Sequence, residues 1–324
     1  MAQERAGHPL PRGASPPAPV SAAARPATVI EPARLGKRLG VELTLCSETF
    51  QHTGSFKFRA AYNLAANVEN QTIITESSGN FGQALALACR MVGKSCIVVM
   101  PSTSARVKVD AVLEYGGRVE LTDVRVRSRA QRRAELAEEN PEAFVASAYD
   151  SPLVIEGNAT LGEEICALGK PFDDVIVPVG GGGLSSGIIV GVRRSKKNYR
   201  IWGAEPLMAN DAARSLREGR IVCNEQEPQT IADGARVLSI GKHNWEILRD
   251  GLAGIVEVPE PEIIEAVRLL FTFANLKCEP TGALSVAALL ARPEAFAGRR
   301  VCCVVSGGNV DQAIYSDILN GKLT

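Results

Sequence analysis

From about residue 33 onward, short Val- and Ile-rich runs alternate with segments of helical period, and this alternation narrows the fold more than any other feature. VELTLCS (41–47), TIITES (72–77), SCIVVMP (95–101), RVELTD (118–123), DVIVPV (174–179), YRIWGAEP (199–206) and RVCCVVS (300–306) read as strands. FKFRAAYNLAANVE (56–69), GQALALACRMVG (82–93), ARVKVDAVLEYG (105–116), LSSGIIVGVRRSKK (184–197), NDAARSLREG (210–219), EIIEAVRLLFTFAN (262–275) and LSVAALLA (284–291) read as helices. Apolar strands separated by helices imply parallel sheets covered by helices, an α/β fold. Ligands of such sheets bind in the loops at the carboxyl ends of the strands, so chemistry is sought there.

Composition removes several function classes. With 324 residues and 45% hydrophobic content the chain can bury a substantial core, and its length suggests about two domains. Lys+Arg and Asp+Glu both total 36, and no basic stripe is interleaved with aromatics, which argues against a nucleic-acid partner. No apolar run approaches the ~20 residues that cross a membrane. The eight cysteines form no C-x-x-C pair and several sit in apolar runs, as expected of reduced, mostly buried thiols in a cytoplasmic protein. The basic run 125–139 has mixed charge and reads as a solvated helix face. Residues 1–25 are rich in Ala, Pro and Arg without helical period or a secretory core, and read as a disordered tail.

Three loops carry candidate chemistry. In Val179–Gly183 a strand meets four glycines and then a helix. Glycine lets backbone N–H groups turn inward, and the helix N-terminus adds partial positive charge, so Gly180, Gly181, Gly182 and Gly183 suit a small phosphate. The loop lacks the Lys-Ser/Thr of a Walker loop and the third glycine of a dinucleotide turn, and by itself it would equally serve as a tight connection. TGSFKFRAAYN sets Lys57 between Phe56 and Phe58. An apolar setting disfavours the ammonium and frees the amine for Schiff-base formation, although a surface lysine fits the same motif. ESSGNFGQA (76–84) ends a strand and opens a helix, offering Ser77 and Ser78 hydroxyls and the Asn80 amide; a helix-capping cluster would account for it too.

In this order and spacing the three loops resemble the fold-type-II PLP-dependent enzymes, in particular the serine racemase/threonine (serine) dehydratase group. The resemblance runs from about residue 26 to 310 and includes GAEPLMAND (203–211), TIADGARVLSIG (230–241), EPTGALSVAALL (279–290) and SGGNVD (306–311). It implies a tryptophan synthase β-like architecture with two doubly wound α/β domains and the cofactor in the cleft between them. The large domain would take residues 26–70 and 143–324, and a small mobile domain 71–142. It further implies pyridoxal 5'-phosphate on Lys57, which later moves the Cα proton. Asn80 would bond the cofactor's 3'-oxygen, Gly180–Gly183 hold its phosphate, and Phe56 and Gly234 flank its ring. Ser77, with the backbone of the asparagine loop, would hold the substrate carboxylate.

By the same resemblance Ser306 faces the ring nitrogen. A hydroxyl there does not stabilise a protonated ring as a carboxylate would, so the electron sink is weaker, which suits β-elimination over transamination. Ser78 matches the opposite-face base of serine racemases. Glu205, Ala209 and Asp211 match a divalent-cation site, and two carboxylates with a carbonyl are hard ligands for Mg²⁺ or Ca²⁺. Phe81 stands where many relatives carry histidine, which gives the site an apolar wall and suggests a bulkier substrate such as a 3-aryl serine. With little chain after SGGNVD, feedback control through a regulatory domain is not expected. The leading expectation is an ammonia-lyase, a homodimer acting on a small β-hydroxy-amino acid. A racemase using Lys57 and Ser78, a β-replacement synthase and a non-catalytic PLP-binding protein are the alternatives.

Overall fold

The apolar runs pair into two separate sheets. A computed structural model describes residues 17–77, 79–104 and 106–323. Its strands are β1 (Thr28–Ile30), β2 (Glu42–Ser47), β3 (Thr72–Glu76), β4 (Ser95–Pro101), β5 (Arg118–Thr122), β6 (Phe144–Ala146), β7 (Asp174–Pro178), β8 (Arg200–Pro206), β9 (Gly254–Val258) and β10 (Arg300–Val305). One sheet has the order β1-β2-β10-β7-β8-β9 and the other β5-β4-β3-β6. Every pairing is parallel except that of the short edge strand β1 with β2. Parallel strands in a covered sheet are buried on both faces. β7 shows it: all five of its residues are buried.

Register places the site. Val305 pairs with Ser47, and Pro178 with Ala204, so β2, β10, β7 and β8 end at the same edge of the larger sheet. Four stretches of chain leave that edge together: residues 48–57, 306–309, 179–183 and 205–211. The smaller sheet contributes the loop between β3 and the helix Asn80–Val92. Its strand β6, Phe144–Ala146, lies beyond the boundary expected at residue 143, because those residues pair with β3 and extend the smaller sheet into the stretch assigned to the large domain.

The helix Lys57–Asn67 is fixed at its first turn by charge as well as packing. Arg59 is fully buried; it donates to both Glu48 oxygens at 2.9 Å and to Glu164 at 2.7 and 3.0 Å. A guanidinium out of water is costly unless every donor is met, and here two carboxylates, Thr160 Oγ1 and the Arg25 carbonyl meet them. Apolar neighbours Phe58, Ala61 and Leu64 seat the same helix against Leu85 and Met100.

The structure departs from the sequence reading at weakly patterned segments. The tail expected over 1–25 is packed from residue 20: Val20–Ala23 is helical, Val20 and Ala24 are buried, and Arg25 bonds Gln51 and the Phe50 carbonyl. Residues 1–16 lie outside the described part. In the basic run only Arg129–Glu139 is helical, started by a Ser128/Gln131 capping box, and Arg125 instead pairs with Asp123. Seven cysteines are buried and Cys223 is exposed. Among the described residues no helix is long and apolar enough to cross a membrane.

Candidate active site

Lys57 opens its helix at the edge where the four stretches converge. Its Nζ donates to the Ala148 carbonyl at 2.9 Å and lies 5.0 Å from the Phe56 ring centroid and 5.8 Å from that of Phe81. Burial pulls its ammonium down from 10.5 to about 8, against an opposing pull from Glu279. A neutral amine is therefore within reach near neutral pH, as Schiff-base chemistry requires.

The glycine loop supplies an anion seat. Gly182 has φ +92°, a left-handed turn that an L side chain rarely adopts, and Gly183 starts the helix Gly183–Arg194. Ser186 is the first residue to donate backward, to Gly182 O at 2.9 Å. Among the described residues the N–H groups of Gly180 to Ser185 meet no acceptor in the loop or from a side chain, although Gly181 to Ser185 are buried. A row of buried, unpaired donors at a helix N-terminus fits a phosphate. Tyr149 and Asn244 brace the loop from behind. A Cβ on Gly181 would stand 2.2 Å from the Tyr149 ring, and Asn244 Nδ2 bonds both Gly181 O at 2.7 Å and Tyr149 O at 3.0 Å.

Asn80 is held on two sides. Its amide Nδ2 donates to Glu279 Oε1 and Oε2 at 2.9 and 3.1 Å, and its Oδ1 accepts from Asn309 Nδ2 at 2.7 Å. These contacts fix which end of the amide is nitrogen and leave one N–H free. Glu279 is almost wholly buried; burial and nearby Asp233 push its carboxyl up to about 8, against hydrogen bonds from Asn80 and the Asn309 backbone.

The remaining predicted residues fall as follows. Ser306 is buried and its carbonyl accepts from Phe56 N–H at 3.0 Å, so both lie beside Lys57. Gly234 presents its carbonyl 3.1 Å from where a Cβ of Gly180 would be, and its N–H bonds Thr281 Oγ1 at 2.9 Å. The Ser77 oxygen caps its own turn, accepting from Gly82 N–H at 3.1 Å and Gly79 N–H at 3.4 Å. Phe81 is buried against the core of the smaller sheet. Ser78, the proposed second base, lies outside the described residues.

Glu205 lies in β8 and Ala209 in the turn that follows it, and Asp211 starts the helix Asp211–Glu218, whose first N–H groups reach Glu205. Glu205 is fully buried and its two oxygens accept from Ala212 and Ala213 N–H at 3.0 and 2.9 Å. Asp211 is buried too; Oδ1 accepts from Asn224 Nδ2 at 2.9 Å, and Oδ2 has no partner. Burial drives both carboxyls up, that of Asp211 to about 6. Among the described residues no group of three or more His, Cys, Asp or Glu side chains is gathered for a metal.

The comparisons with known proteins decide the family. Residues 20–307 match the family described as pyridoxal-phosphate dependent enzyme. The chain belongs to that family. Its expected fold-type-II α/β architecture is the observed one. The L-threo-3-hydroxyaspartate ammonia-lyase of a Pseudomonas species is 35% identical over 291 residues, covering 89% of this chain and 91% of that protein. The serine racemase of Schizosaccharomyces pombe is 33% identical, covering 90% and 91%. The crystal structure of the threonine deaminase of T.th. superposes with a TM-score of 0.84 at 37% identity, covering 90% of this chain and 96% of that one.

Sequence reasoning missed Tyr149, Asn244, Glu279 and Asn309. Each is set against a residue far from it in the chain, and such a contact has no motif of its own. Glu279 alone gave a signal: a carboxylate directly before Pro280, opening a helix without a charged residue, needs a buried partner.

Proposed function

We propose that this pyridoxal-phosphate dependent enzyme is an ammonia-lyase that converts a small β-hydroxy-amino acid to a 2-oxo acid and ammonia. The observation that carries the reading is the partly open Lys57 amine, lowered to about 8, set among Asn80, Ser306 and the donor row of Gly180–Ser185. The 35% likeness to a protein named for ammonia-lyase activity on a β-hydroxy-amino acid supports the reaction type.

Bound PLP supplies an electron sink that acidifies the Cα–H of an attached amino acid. Lys57 would hold the cofactor and then take that proton. The row of N–H groups from Gly180 to Ser185 would hold its phosphate, and the free Asn80 N–H would fix its 3'-oxygen. Phe56 and Gly234 would flank the ring. Ser306 would offer the ring nitrogen a hydroxyl, which keeps the sink weak and favours prompt loss of the β-substituent. Ser77 and the neighbouring backbone would hold the substrate carboxylate, and Phe81 closes the space beside Lys57 with an apolar wall. Residues 71–142 would close over the substrate as a small domain.

Glu205, Asp211 and the Ala209 carbonyl would hold Mg²⁺ or Ca²⁺. The fit rests on two buried carboxylates, one with an unpartnered oxygen, which a hard cation would satisfy. This site would stabilise the fold at a distance from the chemistry.

A racemase is the second reading, favoured by the likeness to serine racemases and by Ser78 in the asparagine loop. Release of 2-oxo acid from L- and D-serine, threonine, 3-hydroxyaspartate and phenylserine, with Mg²⁺ and then EDTA, separates the two. Oxo-acid formation establishes the lyase and ranks its substrates; interconversion of enantiomers without it establishes the racemase.

A further inference from the structure

Removing a β-hydroxyl needs two proton movements, one from Cα and one to the departing oxygen, and Lys57 accounts for the first. Resting on the lyase reading above, we propose that Tyr149 is the catalytic acid that protonates the leaving hydroxyl.

Position and availability single it out. Tyr149 directly follows Ala148, whose carbonyl holds Lys57 Nζ at 2.9 Å, so its backbone is fixed next to the reacting amine. Its ring lies flat on Gly181, where a Cβ would come within 2.2–2.7 Å of three ring carbons, so it rides on the phosphate seat. Its carbonyl is tied to Asn244 Nδ2 at 3.0 Å. Backbone and ring are thus held, yet the side chain is only half-buried and its hydroxyl bonds no described residue. A held O–H that is not fully buried and has no partner among the described residues is free to meet a substrate oxygen.

The surroundings keep that proton in place until it is needed. Burial and the carboxylates Asp150, Asp211 and Glu76 push the phenol above its ordinary value, while the Arg133 guanidinium pulls the other way and would stabilise the phenolate. Arg133 itself pairs only loosely with Glu76, at 3.4 Å, and Glu76 Oε2 has no partner. Hydroxide is a far stronger base than a phenolate, so even a raised phenol protonates it favourably. The serine and threonine hydroxyls of the site loops, those of Ser77, Ser78 and Ser306 and the buried, unpartnered ones of Ser55 and Thr53, are aliphatic and so weaker acids than a phenol. Glu279 carries a proton near neutrality but spends both oxygens on Asn80.

The step balances. The Cβ–O bond breaks and its electron pair leaves on oxygen. The oxygen takes the phenolic proton and departs as water. Lys57, now carrying the Cα proton, and the Tyr149 phenolate are restored to their starting states through solvent.

The test compares two leaving groups in the PLP-loaded protein. Chloride departs without a proton, so 3-chloro-L-alanine bypasses the acid while using the rest of the site. In Tyr149→Phe the ring still covers Gly181, and PLP affinity and the visible absorbance band should match those of the unaltered protein. kcat for the best β-hydroxy substrate should fall by about 10²-fold or more, while kcat for 3-chloro-L-alanine falls by less than about threefold. An equal loss on both substrates, or no loss on either, overturns the role of Tyr149 and leaves the lyase reading standing. If the unaltered protein turns over 3-chloro-L-alanine but no β-hydroxy-amino acid, the lyase reading fails and the Tyr149 proposal with it.

Discussion

Schiff-base formation needs Lys57 as a neutral amine, and burial makes that form accessible. Since its ammonium loses the proton near pH 8 instead of 10.5, the reactive fraction of the cofactor-free protein rises as pH climbs through about 8. The rate of PLP capture, followed by absorbance, should rise with a midpoint near 8, and a midpoint near the ordinary lysine value would contradict this. Glu279 opposes the shift, so Glu279→Gln should move the midpoint lower. The same substitution removes the carboxylate that orients Asn80, and PLP affinity should weaken by about tenfold, measured by equilibrium titration. At this scale the sequence singled out residues that carry a motif: Lys57, Ser306 and the four glycines lie at one edge of the larger sheet, and Asn80 reaches Glu279 and Asn309 beside them. It did not show Glu279, Asn309 or Tyr149, because their roles depend on which distant residue the fold sets beside them.

Two elements, the first turn of the Lys57 helix and the glycine loop, hold their shape by different physics. The helix start depends on Arg59, whose charge is fully buried between Glu48 and Glu164. Arg59→Met would leave the buried Glu48 carboxylate without its cation and should cost about 3–5 kcal/mol in urea unfolding. The loop depends on the absence of a side chain. Gly181→Ala places a methyl within 2.2 Å of the Tyr149 ring, so the ring or the loop must move. The expected outcome is a folded protein with unchanged helix content that loses PLP on dialysis. Strongly patterned elements were legible beforehand, with ends off by at most four residues. The helix Pro152–Ala167 was not, because its buried face carries Gly157, Asn158 and Gly162 among the apolar residues, which blurs the 3.6-residue contrast. The strands β1 and β6, of three residues each, are too short to show any period.

Across the whole molecule, an apolar seam along the Lys57 helix joins the two sheets, with Phe58 and Leu64 in one buried cluster with Leu85 and Met100, and at the site itself the contacts between them are polar. Asn80 reaches Glu279 and Asn309, Lys108 pairs with Asp233 at 3.1 Å, and Arg129 with Glu227 at 3.6 Å. Contacts of this kind are weak enough to open for substrate, consistent with a small domain that closes over the cleft. The parallel, helix-covered plan was readable from the alternation of strand and helix patterns. The split into two sheets came only through the resemblance, which implied two doubly wound α/β domains; alternation alone does not show it, since strand order depends on contacts between segments far apart in the chain. The cation site is tested at this scale as well. A bound ion that sees only the folded state should raise the unfolding temperature in Mg²⁺ or Ca²⁺ over EDTA, and Asp211→Asn should abolish the difference. The central claim is that Lys57, loaded with PLP, eliminates water from a β-hydroxy-amino acid. The most direct measurement is 2-oxo acid release from the substrate panel by the PLP-loaded protein beside its Lys57→Ala variant. The account predicts release by the unaltered protein and none above background by the variant; equal release by both would contradict it.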